Sequence, residues 1–304
     1  MNNQNRRAAF LTTDIGAEMD DQWALAHLAL APEIDLRGVV TTHAPNQRAP
    51  AAETAAGHAR AVFDHLPKTT RKTRRPPVYV GSSVPLRSRD EPLPNGGVRF
   101  LLACSRPFTP ARRLALLVAG AATDVASALL IDPTLAERIE IVAMGFEGWP
   151  DGGDPWNVKN DPRAWQVLLA SSAPVIVGDA QVTLRRLRLT RDEARDLLAD
   201  RGAAGRYLAA LHTAWLDREP KLCAQVTGSR DAWAVWDQVI VAHLLGLTKA
   251  ATHPRPTLGD DLRFAGPAQG GGTITWVTDI DADRLWKHLT ECLDRARTEP
   301  TSAA

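Results

Sequence analysis

A chain of 304 residues that is 44% hydrophobic and 23% charged has the composition of an ordinary globular protein, which excludes the disordered and fibrous classes. Its formal net charge of +1 provides no overall attraction for nucleic acid or for an anionic membrane surface. The cysteines Cys104, Cys223 and Cys292 are odd in number, far apart and without C-x-x-C spacing, which argues against a disulfide framework or a zinc site and suits a reducing cytoplasm.

Residues 1–7 are polar and lead directly into an apolar run, without the apolar core of a signal peptide. No stretch is long enough to span a bilayer, so a cytoplasmic protein is expected. The pattern predicts a strand over 9–13, a helix over 20–30, a strand over 36–41 and a helix over 51–63. The basic run from Arg71 to Arg75, with no aromatic residue interleaved, predicts a solvated loop before a strand at 78–80. Further strands fall at 114–118, 139–144 and 175–177, with helical patterns over 124–131 and 162–170 between them. Continuous apolar strands alternating with helices predict a doubly wound, mostly parallel α/β sheet covered on both faces, with right-handed crossovers. Beyond Arg185 the chain reads as more helical, over 191–199, 205–216 and 237–245, before a late strand at 273–277 and a last helix from 282 to about 297. The segment from Pro254 to Gly272 reads as a surface excursion. Its run of three glycines is not followed by the Lys-Ser/Thr pair of a phosphate loop. No internal repeat is present, so one α/β domain over residues 1–304 is expected.

In open α/β sheets ligands bind outside the carboxyl ends of the strands. The first strand ends in Thr12-Thr13-Asp14-Ile15-Gly16-Ala17-Glu18-Met19-Asp20-Asp21, four carboxylates around a glycine turn. Such a group is self-repelling unless a cation neutralises it, and all-oxygen donors favour calcium or magnesium over zinc. The competing reading is that Asp20 or Asp21 only caps the next helix. No G-x-S-x-G elbow, P-loop or G-x-G-x-x-G occurs, so esterase-type triads, nucleotide triphosphatases and Rossmann dehydrogenases have no local support. His27 and His243 sit in helical patterns as packing residues, whereas His43 follows a strand near Asn46 and could face a ligand.

The acidic segment resembles the D-T-D-x-G-x-D-D signature of the inosine-uridine-preferring nucleoside hydrolase family, with Thr12 at the first Asp and a loop longer by two residues that adds Glu18. Further segments match in family order. They are Val39 to Asn46, Val78 to Gly81 with Pro85-Leu86, Pro94 to Gly97, Gly120 to Asp124, Met144-Gly145, Asn157 to Ala164, and Trp236-Asp237-Gln238.

The resemblance implies a calcium-dependent hydrolase that cleaves the N-glycosidic bond of a nucleoside-like substrate. Asp14, Asp21, Asp237 and the Thr123 carbonyl would hold Ca2+, and Asp14 would be the general base. Asp20, Asn46 and Asn157 would meet the sugar or support the metal site. Trp236 stands where many members carry a histidine that protonates the departing base, and purine-preferring members carry tryptophan there. It therefore points to a purine or another flat aromatic base, the alternative being plain core packing; Trp149, Trp156 and Trp233 could add a second stacking face. Pro155 replaces a family glutamate, with Asp154, Glu147 or Glu18 as possible substitutes. These departures keep two other readings open, hydrolysis of a different N-glycoside and a non-catalytic nucleoside- or sugar-binding homologue. A small-molecule substrate, neither nucleic acid nor membrane as partner, and a homodimer or homotetramer are the further expectations that the resemblance carries.

Overall fold

The computed structural model describes residues 6–67, 75–153, 156–268 and 271–298. In chain order, β1 (Arg7–Thr13), α1 (Asp20–Leu30), β2 (Ile34–Thr41), α2 (Ala51–His65), β3 (Val78–Val80) and α3 (Gly96–Ser105) lead to β4 (Leu114–Ala119). Next come α4 (Thr123–Ile131), α5 (Leu135–Arg138), β5 (Ile139–Met144), α6 (Trp156–Asn160), α7 (Pro162–Ala170) and β6 (Val175–Gly178). They are followed by α8 (Ala180–Leu187), β7 (Arg188–Thr190), α9 (Arg191–Leu198), α10 (Gly202–Arg218), α11 (Pro220–Thr227), β8 (Ala232–Ala234) and α12 (Gln238–Leu244). The last elements are β9 (Thr248–Pro254), β10 (Pro256–Leu258), β11 (Phe264–Pro267), β12 (Thr273–Ile280) and α13 (Ala282–Thr298).

Eight strands form one sheet in the order β3-β2-β1-β4-β5-β6-β12-β9, parallel throughout except for the antiparallel edge strand β9. The central strands β4 and β6 are apolar and buried on every residue because both faces are covered. Ala9, Leu11, Leu117 and Val142 point into a core shared with α1, α2, α10, α12 and α13. Their neighbours Phe10, Leu116, Val118 and Ile141 point into a second core shared with α3, α4 and α7. This is the two-residue alternation of a strand with no solvent face. The doubly wound, mostly parallel sheet expected from the sequence is the observed architecture.

Asp161 ties the second face together. It caps α7 by accepting the Ala164 N–H at 3.0 Å, ahead of Pro162 at the first helical position. Its other oxygen accepts the Leu86 N–H at 2.9 Å and the Thr123 hydroxyl at 2.6 Å.

The segment expected to be a plain surface excursion is more ordered than that. β10 and β11 pair as a small antiparallel ribbon, and buried Arg255 donates to the carbonyls of Ser171, Ala173 and Thr273. Residues 71–74 of the basic run and Gly270 lie outside the described residues. Among the described residues, no helix is long and apolar enough to cross a membrane.

Asp161→Ala removes a helix cap and strands two buried donors, so it is expected to cost about 2–4 kcal/mol of stability. The urea unfolding midpoint measures this; an unchanged midpoint would mean that water satisfies those donors.

Candidate active site

β1 lies between β2 and β4, which is where the strand order reverses and where open α/β sheets leave a crevice at the strands' carboxyl ends. The Asp14 N–H donates to the Ala119 carbonyl at 3.2 Å, which holds the turn after β1 against the end of β4. A Cβ on Gly120 would stand 2.6 Å from the Asp14 nitrogen, so only glycine allows this approach. The turn continues through Gly16 at φ +95°, where a Cβ would also strike the His58 ring. Two amides from the loop after β2 clasp it: Gln47 Nε2 donates to the Asp14 carbonyl at 2.6 Å and the Ile15 carbonyl at 3.0 Å, and Asn46 Nδ2 to the Ala17 carbonyl at 2.9 Å.

The turn delivers the chain into α1, whose first residues are Asp20 and Asp21. Trp23, Ala24 and Leu25 make that helix part of the core, so its acidic end is fixed and dry. Across from it, Asp237 precedes α12, and its N–H donates to Asp20 Oδ2 at 3.3 Å. Carboxylate oxygens of Asp20, Asp21 and Asp237 lie within 4.8 Å of one another. Asp14, Asp20, Asp21 and Asp237 are each no more than 5% exposed. Thr13 Oγ1 donates to Asp21, and Trp156 Nε1 to Asp14 Oδ2 at 3.3 Å.

Burial and mutual repulsion set the electrostatics. Burial, then the charge of Asp20, pushes Asp14 up to about 8. Burial raises Asp20 to about 6 against the pull of the N–H groups of Asp20, Asp237 and Asp21. Asp21 and Asp237 are held well above the ordinary carboxylate range by burial, and next by Asp237 and Asp20 respectively. A divalent cation relieves this conflict, and an all-oxygen donor set fits a hard cation rather than copper or zinc. The residues therefore fit a metal such as calcium or magnesium.

The other expected residues fall into several groups. Asn157 is buried and donates to the Met144 carbonyl at 3.2 Å, at the end of β5. Asn46 is exposed and secures the Asp14–Ala17 turn. The Thr123 carbonyl accepts the Ser127 hydroxyl at 2.8 Å, and its own hydroxyl joins His43 Nε2 at 3.1 Å and Asp161 at 2.6 Å, so His43 is braced within the fold. Asp154 and Pro155 lie outside the described residues, and Glu147 is exposed. Thr12, at the family's first aspartate, donates to the Leu117 carbonyl at 3.1 Å. Trp236 is half-buried and meets Trp233 edge-on with ring centres 5.8 Å apart, while Trp233 Nε1 donates to Glu18 at 2.8 Å. Trp149 instead stacks on His253 at 4.3 Å, within the cluster of Phe264 and Trp276. Nothing in the sequence assigns a role to Gln47 or Thr13, and Trp156 reads there only as a possible stacking ring. Their signal was position alone, since each adjoins a residue already singled out.

The sequence profile described as inosine-uridine preferring nucleoside hydrolase matches residues 9–287. The chain belongs to that family. It is an N-ribohydrolase, an enzyme that hydrolyses the N-glycosidic bond of nucleosides. Solved structures agree on the fold. A plant nucleoside hydrolase aligns at TM-score 0.74 and 18% identity, covering 95% of this chain and 99% of the other. A purine-preferring ribonucleoside hydrolase from Gardnerella vaginalis aligns at 0.73 and 20%, with the same coverage. An inosine-guanosine nucleoside hydrolase aligns at 0.69 and 17%, again covering 95% and 99%. No curated protein sequence matches the chain.

A raised carboxyl keeps in the folded N-ribohydrolase a proton that the unfolded chain has lost. Its stabilisation is full below the ordinary value near 3.8 and fades as pH rises to about 8 for Asp14 and about 6 for Asp20. Buried His27, lowered to about 3, and His212, lowered to about 4, act oppositely and cost stability only as pH falls below 6.5. From pH 7 to 8 the acids dominate, and the metal-free protein is expected to lose about 1 kcal/mol, a few degrees in Tm. Scanning calorimetry with chelator tests this, and a saturating divalent cation should abolish the loss. A Tm flat over that interval without metal would contradict it.

Proposed function

We propose that this N-ribohydrolase is calcium-dependent and prefers nucleosides whose base is a purine or another flat aromatic ring. The observation that carries the metal assignment is the convergence of buried Asp20, Asp21 and Asp237 within 4.8 Å at the sheet's switch point, with Asp14 beside them. Calcium suits this set better than magnesium because the carboxylates come from a turn, a helix start and a distant loop, and calcium tolerates irregular oxygen coordination. When bound, the cation supplies Lewis acidity that makes water a better nucleophile and binds sugar hydroxyls.

The chain's own residues do the rest. Asp14, Asp21 and Asp237, with the Thr123 carbonyl, would hold the metal. Asp14 would take the proton from the attacking water, a role favoured by its burial, with Trp156 Nε1 orienting the carboxylate. Asp20, held by the Asp237 N–H at one oxygen, would accept a sugar hydroxyl. Asn157 and Asp154 would flank the sugar, and Asn46 would keep the Asp14 turn in register. The carboxylates around the anomeric carbon favour the oxocarbenium-like transition state by charge. Trp236, edge-on to Trp233, would stack on the base. Solvent would then protonate the departing base, since tryptophan offers no acid. Action in the cytoplasm as a homodimer or homotetramer completes the proposal.

Base release from a panel of purine and pyrimidine nucleosides, with calcium, magnesium or chelator, tests the reading. Calcium-restored purine release is expected, and Asp14→Ala should lower kcat at least 1000-fold while the protein stays folded. Wild-type-like turnover in that variant would refute the mechanism. Calcium binding without release from any nucleoside would shift the reading to another N-glycoside.

Stacking on an aromatic is worth about 1–3 kcal/mol per base. Trp236→His is therefore expected to reduce the purine-to-pyrimidine ratio of kcat/KM about tenfold. An unchanged ratio would make Trp236 a packing residue.

A further inference from the structure

A second group of metal-capable side chains lies two turns along α1 from Asp20. His27 on α1 faces His288 and Cys292, which occupy one side of α13 four residues apart. His27 Nε2 and His288 Nδ1 are 2.8 Å apart, Cys292 Sγ is 3.7 Å from His288 Nδ1, and all three donor atoms lie within 4.8 Å of one another. His27 and Cys292 are buried, and the His288 side chain is 18% exposed, so the group has one edge open to solvent. Neither the catalytic reading nor the family motifs use any of these residues.

The proton inventory of this group is unusual. His27 Nδ1 faces the Gln238 carbonyl oxygen at 2.9 Å, and His288 Nε2 faces the Glu33 carboxylate at 3.2 Å. Both partners accept, so each neutral imidazole directs its one N–H outward. Two lone pairs are then left facing each other across 2.8 Å, with the Cys292 sulfur beside them. They repel unless a cation, a proton or a metal ion, sits between them. Reversing the Gln238 amide would offer an N–H instead; in the observed orientation its Nε2 is buried without a partner.

We propose that His27, His288 and Cys292 form a binding site for a borderline transition-metal cation of the zinc class. Two imidazoles and a thiolate are the donors that such cations select, in contrast to the oxygen-only site at Asp20, Asp21 and Asp237. Bonds of about 2.0–2.3 Å require the two histidine nitrogens to open by only about half an ångström. On binding, Cys292 gives its proton to solvent and its sulfur pair to the metal.

Each donor already has the outer partner that metal ligands need. Gln238 orients His27, Glu33 orients His288, and Arg295 donates to Cys292 Sγ at 3.2 Å. The metal would bolt α1 to α13, and Gln238, next to Asp237, extends the connection to α12. The helices that present the acids to the substrate would thus be fastened at a point the substrate does not reach.

Cobalt titration of the reduced, full-length protein tests this site separately from the calcium site. A thiolate-to-cobalt charge-transfer band requires sulfur ligation, which an all-carboxylate site cannot give. One equivalent of Co2+ is expected to produce the band, zinc to remove it, and Cys292→Ser and His288→Gln each to weaken it at least tenfold. Absence of the band in the wild-type protein overturns the proposal, as does its survival in Cys292→Ser. Should Cys292→Ser fail to fold, His288→Gln, altered at the open edge, decides alone: a full-strength band there is equally fatal.

Discussion

Four carboxylates buried against one another are the constraint on which the rest of this protein depends. Asp14, Asp20, Asp21 and Asp237 repel one another in a dry crevice, and only a well-packed frame can hold them there. That frame is α1, surrounded by core, and the β1–β4 junction, where Gly120 lets the Asp14 backbone approach. The free energy that fold packing contributes is partly spent on keeping this charge concentrated. It is recovered when a cation arrives, which couples metal binding to the integrity of the crevice.

Around that centre the protein divides its work between the two ends of the same helices. The amino ends of α1 and α12 carry Asp20, Asp21 and Asp237, while farther along α1 and on α13 burial keeps the His27 imidazole and the Cys292 thiol uncharged. Oxygen donors gather at one place and nitrogen and sulfur at the other. Two cations of different hardness could therefore sort themselves between the places without competition.

Most of the sheet was legible in the sequence because its central strands carry continuous apolar runs, a pattern that suits a sheet covered on both faces. The acidic site was legible for a related reason. Three of its four acids follow one strand within eight positions, and Asp237 falls in a family motif. What was not legible depends on long-range partners. β9 is half-exposed at the sheet edge and takes its conformation from β12, and β10 and β11 are short strands within a Pro- and Gly-rich stretch. Gln47 gains a role only because the loop after β2 folds over the turn after β1. His27 and His288 are 261 positions apart, beyond the reach of any spacing rule.

The two amides that clasp the Asp14 turn have a consequence for how such an enzyme diversifies. Gln47 and Asn46 hold that turn by its carbonyl oxygens, not by its side chains. A backbone clasp is indifferent to the identity of the residues it holds. Insertions such as the one that brings Glu18 can then be accommodated downstream while Asp14 stays in register. New specificities can be trialled at the rim without unsettling the chemistry at the centre.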